Sequence, residues 1–200
     1  TPDDLDLAKG SNTGRRTALD TLGSQVNKSY YTVRRDYEKV IRHKNRLLKE
    51  EAAPALVEAI DEMLVTVGAQ LAYYRAALFA RLVPPMTEKY RQISGGLEEL
   101  SAQYAPSWME AAVSPACAAS SGHSPFIPFT RDEARDSLAR ALRERTAEER
   151  HRGRALVGPH ADTITFLLDG QNASQYGSQG QQRSIVLAYK LAEAAVIEEI

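Results

Sequence analysis

The chain has 200 residues, 43% hydrophobic and 26% charged, with a formal net charge of −1 and one cysteine, Cys117. This is the composition of a folded globular protein of one or two domains, and near-neutrality confines any basic surface to a local patch. A lone cysteine excludes an internal disulfide and a cysteine-rich metal site, and the absence of both a run of 18 apolar residues and a secretory or transit segment makes cytoplasmic the default location, with no membrane partner.

Residues 1–29 read as a connector and a first helix. Asp3, Asp4 and Asp6 lie in a polar turn whose plain reading is a solvated acidic face. Gly10 to Gly14 break the chain, and Arg15-Arg16 open a helix of roughly ten residues that ends near Gly23.

Residues 30–104 are expected to form a helical hairpin arm with a short helix and a strand. Tyr30, Val33, Tyr37, Val40, Ile41, Leu47 and Leu48 recur at helical spacing, with Lys44 interrupting the seam. Pro54 suits the first turn of the next helix. There Ile60, Met63, Val67, Leu71, Tyr74, Leu78 and Leu82 keep the same period over the longest predicted helix. The two legs, 30–48 and 56–82, should pack antiparallel and project like an arm. Gly68 is a weak point, costing about 1 kcal/mol against alanine. Pro84-Pro85 should end or bend the helix, with a shorter helix to Ile93, a glycine cap at Gly95-Gly96 and a partly alternating strand within 97–104.

Residues 105–129 hold four of the nine prolines and read as a loop anchored by Trp108 and Phe126. In residues 130–200, Thr130 and Glu133 form a capping box for a helix to about Glu149. The run Thr163 to Leu168 reads as a strand and Asp169-Gly170 as a hairpin turn. The fold class is therefore mostly α with a small β portion. The chain begins without methionine and stops inside an amphipathic helix, and is read as a piece of a longer protein.

Between the strand and the last helix, 182–200, lies the polar turn Tyr176-Gly177-Ser178-Gln179-Gly180-Gln181-Gln182-Arg183-Ser184. Ser178 is placed as an N-cap with Gln181 as its capping-box partner. Such a terminus offers free N–H groups and the positive end of the helix dipole, and Gly180 lets another molecule approach, a geometry that suits phosphate. Its plain reading is an ordinary helix cap.

Residues 30–49 carry a local charge near +5, with Arg34, Arg35, Lys39, Arg42, Lys44, Arg46 and Lys49 against Asp36 and Glu38 and with Tyr30, Tyr31 and Tyr37 interleaved. The stretch is either a solvated face or a contact for a phosphate backbone. No Gly-x4-Gly-Lys string and no strand ending in paired acids occurs, so the chain alone is expected neither to bind ATP tightly nor to hydrolyse it. No metal site and no nucleophile–histidine–acid constellation is read.

Three stretches, in order, resemble one family. Ser178-Gln179-Gly180-Gln181 is similar to the signature motif of ABC-type ATPases, and with its flanks resembles the version in the RecF family, recombination-repair ATPases related to SMC-like heads. Val157-Gly158-Pro159-His160-Ala161-Asp162 resembles the family's Gly-Pro-His segment. Thr1 to Ser11, with Arg15-Arg16 and Leu19-Asp20, resembles the segment after its first lobe. Asn12 stands where the family usually has proline, and Ala161 and Thr163 where it usually has an arginine and an acid.

The resemblance implies a signature lobe carrying a helical arm, in a family of DNA replication, repair, recombination and SOS-response proteins. Ser178, Gln179, Gly180, Gln181 and Arg183 would meet ATP held with Mg²⁺ by the partner subunit. The complete protein would be a slow DNA-dependent ATPase that dimerises with ATP and binds DNA, with Arg34, Arg35, Lys39, Arg42 and Arg46 as candidate contacts. It would load recombinase at single-strand/double-strand gaps with RecR and RecO. Gly158, Pro159, His160 and Asp162 are further motif residues, His160 having polar surface as its plain reading. The alternative is a non-enzymatic helical-hairpin interaction module whose turn at 177–183 is only a cap.

Overall fold

One helix supplies the spine on which the other elements pack. The computed structural model describes residues 7–109 and 129–199. Within them, α1 is Asn12–Val26, α2 Lys28–Lys49, α3 Pro54–Ser94, β1 Leu100–Ala105, α4 Arg131–Arg152, β2 Thr163–Leu168, β3 Gln171–Asn172, α5 Ala173–Tyr176 and α6 Gln179–Glu198, with a 3₁₀ turn at Pro159–Ala161. The expected acidic turn at Asp3, Asp4 and Asp6, the cysteine Cys117 and the anchor Phe126 lie outside the described residues. Trp108 is buried, as is Phe129.

α2 and α3 are the expected antiparallel legs. The Tyr30 ring stacks on Tyr74 with centroids 5.8 Å apart, Tyr37 lies against Gly68, Lys44 Nζ meets Asp61 Oδ1 at 2.6 Å, and Leu48 clusters with Val57. Each step along α2, of seven, seven and then four residues, thus descends by nearly the same number along α3. The hairpin is held closely to the body. α3 also packs on α4, α6 and β1, and one apolar cluster runs from Leu7 to Val196 through every helix of more than one turn.

Several boundaries differ from the sequence expectation. α1 runs three residues past Gly23, because that glycine is a point of close approach and not a stop: a Cβ there would fall 2.5 Å from Tyr30 Cε2. α3 continues through Pro84 and Pro85 as one element of 41 residues. Each interior proline costs about 3 kcal/mol, but Phe79, Leu82, Val83, Met86 and Tyr90 stay buried across them while Pro84 faces solvent. Core packing outweighs local preference. α3 then ends on Gly95 at φ 67°. Gly68 lies where α3 meets its neighbours, since a Cβ would come within 2.9 Å of Leu138 Cδ2 on α4.

The sheet has the order β1-β2-β3. β1 and β2 pair antiparallel from Leu100↔Leu168 to Ala105↔Thr163. Asp169 and Gly170, at φ 48° and 78°, make the tight turn into β3, with Leu168↔Gln171 closing the hairpin. The Thr130/Glu133 capping box starts α4, and Gly153 at φ 62° ends it. No described helix is long and apolar enough to cross a membrane.

Lys44, which breaks the apolar seam of α2, is fully buried. Its Nζ meets Asp61 on α3 and, at 2.5 Å, Glu149 Oε2 on α4. Burial raises the Asp61 pKa, and Lys44 opposes that rise. Lys44→Met should therefore destabilise the fold by about 3–5 kcal/mol, because buried Glu149 loses its cation. The urea unfolding midpoint measures this. A midpoint matching the wild type would show that the ion pairs carry no net stability.

Candidate nucleotide-facing site

The expected capping box opens α6. Ser178, at φ −62° and ψ 161°, accepts the Gln181 N–H on its Oγ at 3.2 Å, and Gln181 Oε1 accepts the Ser178 N–H at 2.6 Å. Ser178, Gln179 and Gly180 are exposed. The amides of Gln179 and Gly180, first in the helix, have no intrahelical acceptor. Gly180 meets no packing demand: the nearest atom to a Cβ placed there is Ser178 Oγ, 3.9 Å away. Its missing side chain leaves the first turn open to whatever approaches from outside. Gln182 is buried and holds the turn from beneath, donating to the carbonyls of Ala173 and Gly177. Arg183 is exposed and forms no ion pair among the described residues.

The Gly-Pro-His segment forms a separate, buried knot. Gly158 sits at φ 135°, and a Cβ there would lie 2.7 Å from the Tyr37 hydroxyl, so both backbone and space require glycine. His160 is not polar surface. Tyr37, its hydroxyl kept protonated by burial, donates to His160 Nδ1 at 2.6 Å and accepts the His160 backbone N–H at 3.2 Å. Nε2 then carries the proton and faces the Ala155 carbonyl at 3.4 Å. Burial lowers the His160 pKa.

Asp162 is fully buried; Tyr104 donates to it at 2.5 Å and Trp108 Nε1 at 3.1 Å. Burial raises its pKa, opposed chiefly by Arg75. Arg75 bonds both Asp20 oxygens at 2.8 Å and donates to the Pro159 carbonyl. Burial works against the Arg75 charge, but Asp20 holds it firmly protonated. Arg15 clamps residues 7–10 against the Ile164 carbonyl of β2. Asn12 accepts the Ile164 N–H at 3.2 Å, a bond that a proline side chain cannot make. Ala161 and Thr163 contribute no side-chain hydrogen bond among the described residues. Among the described residues, the knot and the capped turn share no hydrogen bond.

On α2 the structure sorts the candidate cations. Arg35, Lys39, Arg42, Arg46 and Lys49 are exposed, at steps of four, three, four and three, so they line one face. Arg34 does not join them: it is partly buried and bonded to Glu38 at 3.0 Å, with Asp20 at 3.9 Å. Lys44 points into the core. Sequence reading missed Arg75, Glu149 and Glu98, and met Asp20 only within the Leu19-Asp20 motif string. A charge beside apolar seam residues, as Arg75 is beside Leu71, Tyr74 and Leu78, was the available signal for the first; Glu98 carried none.

The capped, open helix start stands on a helical lobe that bears an antiparallel hairpin and a small three-stranded sheet. No family model matches the chain. It is 35% identical over 211 residues to the DNA replication and repair protein RecF of Synechocystis sp., covering 98% of this chain and 50% of that protein. To the RecF protein of Symbiobacterium thermophilum it is 36% identical over 199 residues, covering 99% and 49%. Two solved structures of the recombination mediator protein RecF in the RecFOR pathway match it over its full length and half of theirs. One is with ATPrS (TM-score 0.85, 26% identity) and one with ATP (TM-score 0.83, 28% identity). The chain belongs to the RecF family, and it spans about half the length of the curated relatives it matches.

The His160 environment predicts a pH effect. Its folded pKa lies below the ordinary 6.5, so its contribution to stability is full above about pH 6.5 and is lost as pH falls toward the folded value. His160→Gln should cost about 1 kcal/mol at pH 7.5 through weakened bonding to Tyr37, yet lose less stability than the wild type between pH 7 and pH 5. Parallel thermal-melting curves for the two proteins would refute the assignment.

Proposed function

We propose that this chain is the signature lobe of a RecF-type DNA repair ATPase and that its capped turn clasps ATP bound by a partner subunit. The observation that carries the reading is the open first turn of α6, where Gly180 is unexplained by internal packing and the Gln179 and Gly180 amides face outward. Those amides, the Ser178 hydroxyl and the helix dipole suit a γ-phosphate. ATP would supply the phosphate that joins the two subunits. Ser178 Oγ and the Gly180 amide would bind it, Gln181 would brace the turn, and Arg183 stands two positions beyond to sense its charge. The nucleotide's own pocket and its Mg²⁺ ligands would belong to the complementary lobe, because this chain has no phosphate loop. Dimerisation with ATP would then couple to DNA engagement, and the family's role with RecR and RecO in loading recombinase at gaps would follow from that coupling.

In the intact protein, Ser178→Arg should cost about 0.5–2 kcal/mol of stability. ATP-dependent dimerisation and the ATPase rate should fall together, while ATP binding at the protein's own pocket persists. Sedimentation with ATP beside a nucleotide-binding assay separates the cases. A variant that dimerises like the wild type reduces the turn to a helix cap and favours the plain interaction module.

For DNA, the exposed row Arg35, Lys39, Arg42, Arg46 and Lys49 replaces the set that included Arg34. Adjacent cations stand about 5 Å apart along the axis, a spacing suited to tracking a phosphate backbone. Replacing Arg42 and Arg46 by alanine should reduce the salt dependence of duplex binding by about two phosphate contacts, uniformly across sequences. An unchanged salt slope in fluorescence-anisotropy titrations removes α2 from the DNA surface.

A further inference from the structure

We propose that Glu98 is the positioning residue of the capped turn, acting through Gln181; the proposal rests on the functional reading above. Glu98 lies between the end of α3 and β1, and its carboxylate receives two donors. The Tyr90 hydroxyl of α3 donates to Oε2 at 2.7 Å, and Gln181 Nε2 donates to Oε1 at 2.5 Å. The same Gln181 carboxamide accepts the Ser178 N–H on its own Oε1.

A carboxylate only accepts, so Glu98 fixes which end of the Gln181 amide faces it. The NH₂ must point to Glu98, and the oxygen must therefore point to the Ser178 N–H. Without Glu98 that amide is free to flip or swing away, and the Ser178 N–H then faces another donor or none. The peptide that carries this N–H also carries the Gly177 carbonyl, bonded from the other side by Gln182. The main chain entering Ser178 is thus held on two sides, and Glu98 sets one of them.

This also explains the residue type at 181. Either glutamate or glutamine completes a capping box, but a glutamate here would set two carboxylates together. Glutamine alone accepts from Ser178 while donating to Glu98. Through Tyr90 the arrangement reaches α3, so the orientation of the turn is referred to the spine of the lobe.

The test uses the intact protein and reads two quantities, amide hydrogen exchange across 177–182 and ATP-dependent dimerisation. Glu98→Ala should raise exchange at the turn about tenfold, the loss of one charge-assisted bond, and weaken ATP-dependent dimerisation several-fold. Exchange in the α2–α3 hairpin should stay as it was. Gln181→Glu should raise exchange likewise. The exchanged pair, Glu98→Gln with Gln181→Glu, should bring it back near the wild-type rate, since an amide at position 98 can donate to a carboxylate at position 181 and accept from Tyr90. Wild-type exchange in Glu98→Ala, or failure of the exchanged pair to recover, overturns the positioning role. Normal dimerisation in Ser178→Arg instead overturns the ATP reading, whatever the exchange data show.

Discussion

The Arg75 guanidinium, buried between two carboxylates, is the constraint on which the lobe depends. It is fixed in fork geometry by Asp20 of α1, reaches the carbonyl of Pro159, and approaches Asp162 at 3.5 Å. Removing a charge from water is costly unless nearly every donor is matched. Here the matching partners come from α1 and from the segment entering β2. The spine cannot rotate or slide relative to either without stranding a buried charge. Tyr30 adds its hydroxyl to Asp20 from α2, so all three leading helices converge on one ion pair.

A second buried cation repeats this logic nearer the hairpin elbow. Lys44 joins α2 to Asp61 and Glu149, and the other oxygen of Glu149 accepts the amides of Leu156 and Val157. The Gly-Pro-His segment is therefore pinned from both ends by charges that the helices bury. Its histidine is one more peg, set against Tyr37. On these contacts the segment positions secondary structure, while the exposed polar turn lies elsewhere, at the start of α6.

The sequence made the periodic and capped features legible. The 3/4 spacing on either side of Pro54 foretold the hairpin legs, Ser178 with Gln181 and Thr130 with Glu133 foretold two capping boxes, and Asp169-Gly170 foretold the β2–β3 turn. What stayed hidden depends on partners far away in the chain. Gly23 reads as a stop until the Tyr30 ring is seen over it. Pro84-Pro85 read as a break until the buried row beyond them is known. Lys44 looks like an error in a seam because its two carboxylates stand 17 and 105 positions further along. Glu98 gave no periodic or motif signal, since its importance lies only in the direction it imposes on another side chain. The RecF resemblance was carried by short local strings that needed no tertiary information.

The unbroken length of α3 has a mechanical consequence. Its 41 residues make a rod about 60 Å long, with the hairpin elbow at one end and Tyr90, in touch with the capped turn through Glu98, near the other. Over such a rod each degree of tilt at the turn carries the elbow through about 1 Å. The two prolines sit close to the turn, where the carbonyls of Ala80 and Arg81 lose their helical N–H partners. That places two missing helical hydrogen bonds at the short end of the lever, where a small displacement beside the turn becomes a large one at the elbow.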